Sequence, residues 1–142
     1  MRNKILIVEP EPSVRESLRL ILRDDHEIET AGGLDEAKEV LSEEGFDLVI
    51  VDLTEGDLAP LTDLMSRVEG IPVIVVSSLR DPNLIVNAMK LGVADYILKP
   101  FDVQSLRDSV EKAIRKARET RAAMSAEEER EVIVAVSYTH LT

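Results

Sequence analysis

Leu48-Val49-Ile50-Val51-Asp52 is the stretch that decides the fold, because four apolar, mostly β-branched residues run unbroken into a carboxylate. Comparable apolar runs occupy residues 5–8, 73–76 and 96–98. Unbroken runs of this length are typical of parallel strands that are buried on both faces. Residues 27–31 alternate between polar and apolar side chains instead, so they are predicted to form a strand nearer the edge of the sheet.

Helical periodicity fills the segments between these strands. In the first segment, apolar residues recur at helical spacing behind Ser13, which is a plausible N-cap. Residues 34–41 and 61–68 carry similar stripes. Asp81-Pro82 predicts the start of a fourth helix and Gly92 its end. A last helix is expected to begin near Asp102, with Val103, Leu106 and Val110 in the core. One face of this helix carries the following residues: Val103, Leu106, Val110, Ala113, Ile114 and Ala117.

This alternation of strands and helices predicts an α/β fold. Short connections and right-handed crossovers favour a doubly wound (βα)5 arrangement with helices on both faces of a five-stranded parallel sheet. The favoured strand order is 2-1-3-4-5. In such sheets, ligands bind at the carboxyl ends of the strands, beside the point where the strand order reverses.

Composition limits the classes of function. The chain has 142 residues, a formal net charge of −11 and no cysteine. The missing cysteines exclude disulfides, thiolate metal sites and a cysteine nucleophile. An acidic surface repels phosphate backbones, so no direct contact with nucleic acid is expected. The apolar runs are too short for a membrane span or a signal peptide, so we expect a cytoplasmic protein with no membrane partner.

The residues that follow the predicted strands carry the chemistry. Glu9 follows the first strand, and Asp52 ends the third. Ser77 ends the fourth strand, and Lys99 follows the fifth. Each residue alone has an ordinary explanation as a cap, a turn residue or a surface charge. Together, at one edge, they supply the carboxylate nucleophile, hydroxyl and cation that phosphoryl transfer needs.

These motifs, in this order and spacing, resemble the response-regulator receiver domain of two-component signalling, which has a flavodoxin-like fold. The resemblance covers about residues 4–117 and is most specific at 92–101, Gly-Val-Ala-Asp-Tyr-Ile-Leu-Lys-Pro-Phe. It implies that Asp52 is the phosphoacceptor and that Ser77 and Lys99 contact the phosphoryl group. It also implies that Ser77 and Tyr96 are the switch residues, and that the Lys99-Pro100 peptide bond is cis.

The resemblance further implies a Mg²⁺ site made by Glu9, Asp52 and the backbone carbonyl of Thr54. Receivers usually carry two acids after the first strand, whereas the second position here is Pro10, whose side chain offers no oxygen. The loop after Asp52 also lacks the methionine-proline pair and the later glycine that are usual in the family. We therefore expect weak Mg²⁺ binding and slow phosphotransfer from small donors.

Two functions follow from this interpretation. The leading hypothesis is a switch that accepts a phosphoryl group on Asp52 from a histidine kinase or phosphotransfer protein and relays it through the fourth strand, fourth helix, fifth strand and fifth helix. Such a protein is not an enzyme beyond its own phosphotransfer and dephosphorylation. The alternative is a phosphorylation-independent pseudo-receiver that acts as a protein interaction module. A flavin- or nucleotide-binding protein is disfavoured because residues 9–12 contain no glycine.

The chain divides by composition near Arg121. Residues 1–121 are predicted to form the receiver, and 122–142 a charged helical linker or the truncated start of an output domain. Residues 132–136 are apolar enough to begin a further strand. Residues 137–142 fit no pattern, and one interpretation is that they are not part of the native sequence. An output domain or effector protein and a receiver homodimer are the expected partners. A polar, salt-sensitive dimer face is predicted on the last helix at Arg107, Glu111, Arg115 and Arg118.

Overall fold

In the computed structural model, strands and helices alternate along the chain. The structure describes the backbone of residues 2–140 and the side chains of residues 2–127. The strands are β1 (Asn3–Val8), β2 (His26–Ala31), β3 (Leu48–Asp52), β4 (Val73–Ser77) and β5 (Asp95–Leu98). The helices are α1 (Pro12–Leu22), α2 (Leu34–Glu43), α3 (Ala59–Arg67), α4 (Pro82–Lys90) and α5 (Val103–His140).

The strands form one parallel sheet in the order β2-β1-β3-β4-β5, which confirms the predicted topology. In register, Ile7 lies opposite Ile50 and Ile50 opposite Ile74. The alternating segment β2 forms one edge of the sheet, as expected. The crossover from β2 over β1 to β3 reverses the direction of winding and therefore leaves a crevice at the carboxyl ends of β1 and β3.

Each face of the sheet has its own hydrophobic core. Leu6 and Val8 of β1 pack with α2, α3 and α4, whereas Ile5 and Ile7 pack with α1 and α5. Successive side chains on a strand point to opposite faces, so an unbroken apolar run supplies both cores at once. Leu106 in α5 is fully buried against the second face. The residues that directly follow the strands at their carboxyl ends form an edge that we call the rim. Because both faces of the sheet are packed, these rim residues are held on a rigid base.

Local sequence explains where two of the helices begin or end. The predicted N-cap Ser13 is wrong, because α1 already starts at Pro12 after Glu11. Proline is favoured in a first turn because its missing N–H would have no partner there. At α4 the prediction is confirmed, since the Asp81 carboxylate accepts a hydrogen bond from the Asn83 amide at 3.0 Å. Gly92 then leaves the helix with a positive φ of 103°.

The last helix differs from the prediction in several ways. Residues 132–136 lie in α5 and not in a strand, because helix-forming Ala, Glu and Arg residues precede them without a turn. Val103 is 42% exposed and not in the core, since it lies in the first turn before Leu106 meets the sheet. On the side of α5 predicted to be charged and exposed, Arg118 is exposed and donates to the Asn3 side chain, whereas Arg107 is only half-exposed and donates to the Ile21 carbonyl. The dimer face itself stays a prediction.

Some predictions about the end of the chain stay predictions. The division at residue 121 coincides with no break in the backbone of α5. The interpretation of 137–142 as foreign sequence reaches Leu141 and Thr142, which lie outside the described residues. Within the part of the chain that the structure describes, no helix is long and apolar enough to cross a membrane.

Candidate functional site

The carboxyl ends of the central strands bring three predicted site residues into direct contact. The Lys99 ammonium nitrogen lies 2.9 Å from Oδ1 of Asp52. The same nitrogen lies 3.2 Å from Oε2 and 3.4 Å from Oε1 of Glu9. Lys99 thus bridges a carboxylate at the end of β3 and another just after β1, although these residues are far apart in the sequence.

These charges are withdrawn from water. The side chains of Glu9 and Asp52 are 2% and 4% exposed, and that of Lys99 is 17% exposed. Burying a charge is costly unless it is paired and hydrogen-bonded, so each carboxylate depends on the shared ammonium. Counted as charged groups, the three side chains leave one negative charge at the rim.

Burial and neighbouring charges shift the pKa values of two of these groups. Burial raises the pKa of Glu9, the negative charge of Asp52 raises it further, and Lys99 only partly opposes both. Burial by itself would lower the pKa of Lys99, but hydrogen bonds and charge from Asp52 and Glu9 outweigh it and raise the pKa. Lys99 is therefore held as a cation between the acids.

Ser77 is fully buried at the end of β4 and is engaged with the backbone. Its hydroxyl donates to the Leu53 carbonyl at 2.5 Å and accepts from the Leu79 amide at 3.1 Å. Its own carbonyl accepts a hydrogen bond from the Lys99 amide at 2.9 Å. The Ser77 side chain therefore connects the loop after Asp52 to the loop after β4. Its main chain is hydrogen-bonded to that of Lys99.

Tyr96 and Ser77 both form hydrogen bonds with the main chain of Leu79. The Tyr96 hydroxyl donates to the Leu79 carbonyl at 2.8 Å, while Ser77 holds the amide of the same residue. The two predicted switch residues thus act on one residue of the β4–α4 loop. The sequence did not reveal that Arg80 also joins this loop to the site, by donating to the Lys99 carbonyl at 2.9 Å. An exposed arginine carries no pattern that could have predicted this contact.

The turn after β1 presents one carboxylate to the site. Glu11 is exposed and accepts from the Ser13 hydroxyl at 3.0 Å, and Pro10 is exposed as well. Glu9 is fixed from outside by Arg15, whose guanidinium donates to the Glu9 carbonyl at 2.9 Å. Sequence reasoning missed Arg15, which could have been suggested by its position one helical turn into α1, facing the acidic turn.

The donor set fits a magnesium ion in kind. Mg²⁺ takes oxygen ligands, keeps several waters and commonly uses only one or two protein carboxylates. Glu9 and Asp52 are two buried carboxylates that already share a cation, and the resemblance assigns the third ligand to the backbone carbonyl of Thr54, two residues after Asp52. Among the residues whose side chains are described, no cluster of three or more acids or histidines forms a larger site. Pro10 supplies no ligand, so any ion must keep an additional water.

The peptide bond between Lys99 and Pro100 is cis, as the resemblance implies. His26 adds nothing to this edge. His26 is buried at the amino-terminal end of β2, at the end of the sheet opposite Asp52. Burial lowers the pKa of this histidine.

Comparison with known proteins agrees with the geometry. Residues 5–111 match the family described as Response regulator receiver domain. The response regulator protein PilR of Pseudomonas aeruginosa is 34% identical over 119 residues, which are 80% of this chain and 26% of PilR. The probable C4-dicarboxylate response regulator DctR of Bacillus subtilis is 31% identical over 115 residues, which are 77% of this chain and 51% of DctR. The chain thus spans about a quarter to a half of these curated relatives.

Solved structures agree as well. NtrX from Brucella abortus superposes with a TM-score of 0.80 at 28% identity, over 87% of this chain and 30% of NtrX. A CheY-like receiver domain protein from Methanospirillum hungatei gives a TM-score of 0.77 over 84% of this chain and 99% of its own, and at 22% identity it shows the fold alone. The sheet order, the acidic rim with its bridging lysine and the match over residues 5–111 establish that this chain belongs to the receiver domain family of two-component response regulators.

Proposed function

We propose that this receiver is a phosphorylation-dependent switch in which Asp52 is the phosphoacceptor. The observation that carries the proposal is the 2.9 Å contact between the Lys99 ammonium and Oδ1 of Asp52. Phosphoryl transfer depends mainly on positioning and on neutralising the charge of the phosphoryl oxygens. A buried carboxylate with a fixed ammonium beside it provides both.

The donor is the phosphohistidine of a histidine kinase or a phosphotransfer protein. An oxygen of Asp52 forms the new P–O bond, the P–N bond breaks, and its electron pair leaves with the imidazole. The product is an acyl phosphate on Asp52, with Lys99 placed to pair with the phosphoryl oxygens. Water later hydrolyses this acyl phosphate, so the protein catalyses only its own phosphotransfer and dephosphorylation.

Receiver domains generally bind Mg²⁺ at the phosphorylation site. In this chain Glu9, Asp52 and the Thr54 carbonyl would hold the ion, which when bound supplies positive charge to the phosphoryl oxygens. With Pro10 in place of an acid, affinity is weaker than at a site with one more carboxylate.

The signal is relayed by the β4–α4 loop. A phosphoryl group brings nearly two negative charges and additional acceptor oxygens to Asp52. When these acceptors draw the Ser77 hydroxyl away from the Leu53 carbonyl, the hydroxyl also leaves the Leu79 amide, so the loop loses one of its ties and Tyr96 loses a fixed acceptor. The population then shifts between two packings of the surface formed by β4, α4, β5 and α5. An output domain or an effector protein responds to that surface.

Phosphate labelling tests the acceptor. Wild type, Asp52→Asn and Asp57→Asn are incubated with Mg²⁺ and either acetyl phosphate or a phosphorylated histidine kinase, and the mass of the intact protein is measured. We expect one added phosphoryl group on wild type and on Asp57→Asn, whose exposed carboxylate caps Ala59, and none on Asp52→Asn. Equal labelling of Asp52→Asn would show that another acid is the acceptor.

A pseudo-receiver is the second candidate, and one observation favours it. Lys99 already pairs with both buried carboxylates, and Pro10 removes a ligand, so the two acids have a cation partner that is not a metal ion. In that case the same α4 and α5 surface binds its partner without phosphorylation. A folded wild type that takes no label from either donor would support this candidate over the switch.

A further inference from the structure

The main chain of Glu9 is held on both sides. Its amide donates to the Ala31 carbonyl at 3.0 Å, and its carbonyl accepts from the Arg15 guanidinium at 2.9 Å. The side chain between them is only 2% exposed and ends against Lys99. Because these two hydrogen bonds fix the backbone from which the side chain starts, they determine where the buried carboxylate lies at the rim.

Arg15 bonds to the turn between β1 and α1 at two points. Its main-chain amide donates to the Glu11 carbonyl at 3.0 Å, while its guanidinium reaches back to the Glu9 carbonyl. Pro10 lies between these two carbonyls and has no N–H of its own to donate. The Glu11 amide makes only a long contact of 3.4 Å with Oε1 of Glu9. Arg15 is therefore a direct link from α1 to the residue that carries the carboxylate.

Gly32 leaves room for the Arg15 guanidinium. A Cβ added at residue 32 would lie 3.3 Å from Nη1 of Arg15 and 3.5 Å from Oε2 of Glu36. The first distance is shorter than an ordinary van der Waals contact, so the guanidinium would have to move. Gly32 does not have a positive φ, so its backbone conformation does not require glycine. At Gly33, the next residue, an added Cβ would meet nothing within 4 Å.

We propose that Arg15 is a positioning residue for Glu9, and that Gly32 keeps the space in which the guanidinium reaches the Glu9 carbonyl. This inference rests on the function proposed above, in which Mg²⁺ assists the phosphorylation of Asp52. Mg²⁺ demands a nearly ideal arrangement of oxygen ligands, so a shifted carboxylate binds it less well. Since Pro10 supplies no ligand, the position of the Glu9 carboxylate sets what the turn contributes to the ion.

Charge alone predicts the opposite effect of removing this arginine. A cation near a metal site repels Mg²⁺, so replacing Arg15 by a neutral residue should tighten binding if only its charge matters. Loss of its hydrogen bond to the Glu9 carbonyl should weaken binding instead, because groups that orient a ligand contribute about tenfold or more to metal affinity. The sign of the change therefore separates positioning from electrostatics.

Titration of the full chain with Mg²⁺, followed through NMR amide shifts, measures the affinity and shows whether the ion binds near Asp52. We expect the dissociation constant for Mg²⁺ to rise about tenfold in Arg15→Met and about threefold in Gly32→Ala, which keeps every charge. Gly33→Ala is the matched control for the added methyl group, and Arg23→Met, an exposed residue at the far end of α1, is the control for the lost charge. Both controls should bind like wild type. If Arg15→Met does not fold, Gly32→Ala against Gly33→Ala decides the question.

The rate of labelling by acetyl phosphate at increasing Mg²⁺ concentrations supplies a second readout. A positioning role predicts that Arg15→Met needs more Mg²⁺ for half-maximal labelling but approaches the wild-type rate at saturation. A rate that is lowered equally at every Mg²⁺ concentration would overturn the proposal, because a purely structural defect has that effect.

Three results of the titration would also overturn it: a Mg²⁺ affinity of Arg15→Met equal to or tighter than that of wild type, an equal loss in Gly32→Ala and Gly33→Ala, or a wild type that binds no Mg²⁺. Failure of the proposed function is a separate result. A wild type that binds Mg²⁺ but takes no label on Asp52 removes the switch, and the titration still decides the role of Arg15. Label on wild type, with equal Mg²⁺ affinity in all variants, removes the positioning role alone.

Discussion

The two halves of the site around Asp52, at the carboxyl ends of the strands, are built in different ways. On the β4–β5 half, Ser77, Tyr96 and Arg80 each bond to the main chain of a neighbouring loop. On the β1 half, the turn offers one buried carboxylate, Glu9, followed by an exposed proline. Hydrogen bonds to the main chain hold the first half in place, whereas the carboxylate of the second depends mainly on Lys99 reaching across from β5. The comparison shows that Lys99 has a structural role, because its ammonium group joins the two halves of the site.

Removing the lysine should produce the largest change. Lys99→Met keeps most of the length of the side chain but leaves two buried carboxylates without a cation, so we expect a loss of about 3 kcal/mol in the free energy of unfolding. Urea unfolding followed by circular dichroism measures it. Adding Asp52→Asn should recover part of the loss, because only one buried carboxylate then remains. A loss under about 1 kcal/mol, as for an exposed ion pair, would show that the halves are not joined through Lys99.

The next effect concerns the β4–β5 half alone. Ser77→Ala removes the donor to the Leu53 carbonyl and the acceptor for the Leu79 amide in a buried place. We expect a loss of about 2 kcal/mol in the same unfolding experiment, since buried polar groups are left unpaired. Ser77→Thr keeps the hydroxyl and serves as the control. If alanine and threonine cost the same, the loss comes from packing and not from the hydrogen bonds.

The β1 half should respond to Pro10. Pro10→Asp restores a carboxylate beside Glu9, and we expect Mg²⁺ affinity to rise about tenfold, which corresponds to about 1.4 kcal/mol. Isothermal titration of wild type, Pro10→Asp and Pro10→Asn measures it. The asparagine variant frees the backbone in the same way but adds no charge, so it should stay near wild type. Tight binding by wild type that Pro10→Asp does not improve would mean that a neighbouring acid such as Glu11 supplies the missing ligand.

The smallest effect is a pH dependence of stability that comes from Glu9. Burial and the charge of Asp52 raise the pKa of Glu9 in the folded protein above its ordinary value of 4.5. The protonated form therefore favours folding, and the stability it contributes is present below pH 4.5 and is lost as pH rises through the folded-state pKa.

Unfolding curves of wild type and Glu9→Gln across this pH range test the assignment. The difference in the free energy of unfolding should move in favour of Glu9→Gln as pH rises, because glutamine does not ionise. Glu11→Gln, which alters an exposed carboxylate, is the matched control. Parallel curves for wild type and Glu9→Gln would show that Lys99 compensates the Glu9 charge completely.

The elements of the fold were largely predictable because their signals are local. Unbroken apolar runs identified β1, β3 and β4, and Asp81-Pro82 with Gly92 identified the ends of α4. Predictions were wrong where a local signal competed with another one, as at Ser13, where proline starts the helix first. At 132–136 the apolar run is compatible with a further strand, but the helix that enters it continues.

The sequence by itself determined the fold class, the strand order and the edge at which Glu9, Asp52, Ser77 and Lys99 would gather, because hydrophobic periodicity and parallel topology follow from the order of residues. Only the tertiary structure decided which of these residues are in contact with one another at that edge. Lys99 bridges both acids, Ser77 and Tyr96 share Leu79, and Arg15 holds the Glu9 carbonyl. These contacts join residues that are distant along the chain, and they depend on side-chain directions and distances of a few ångströms that no spacing in a sequence encodes.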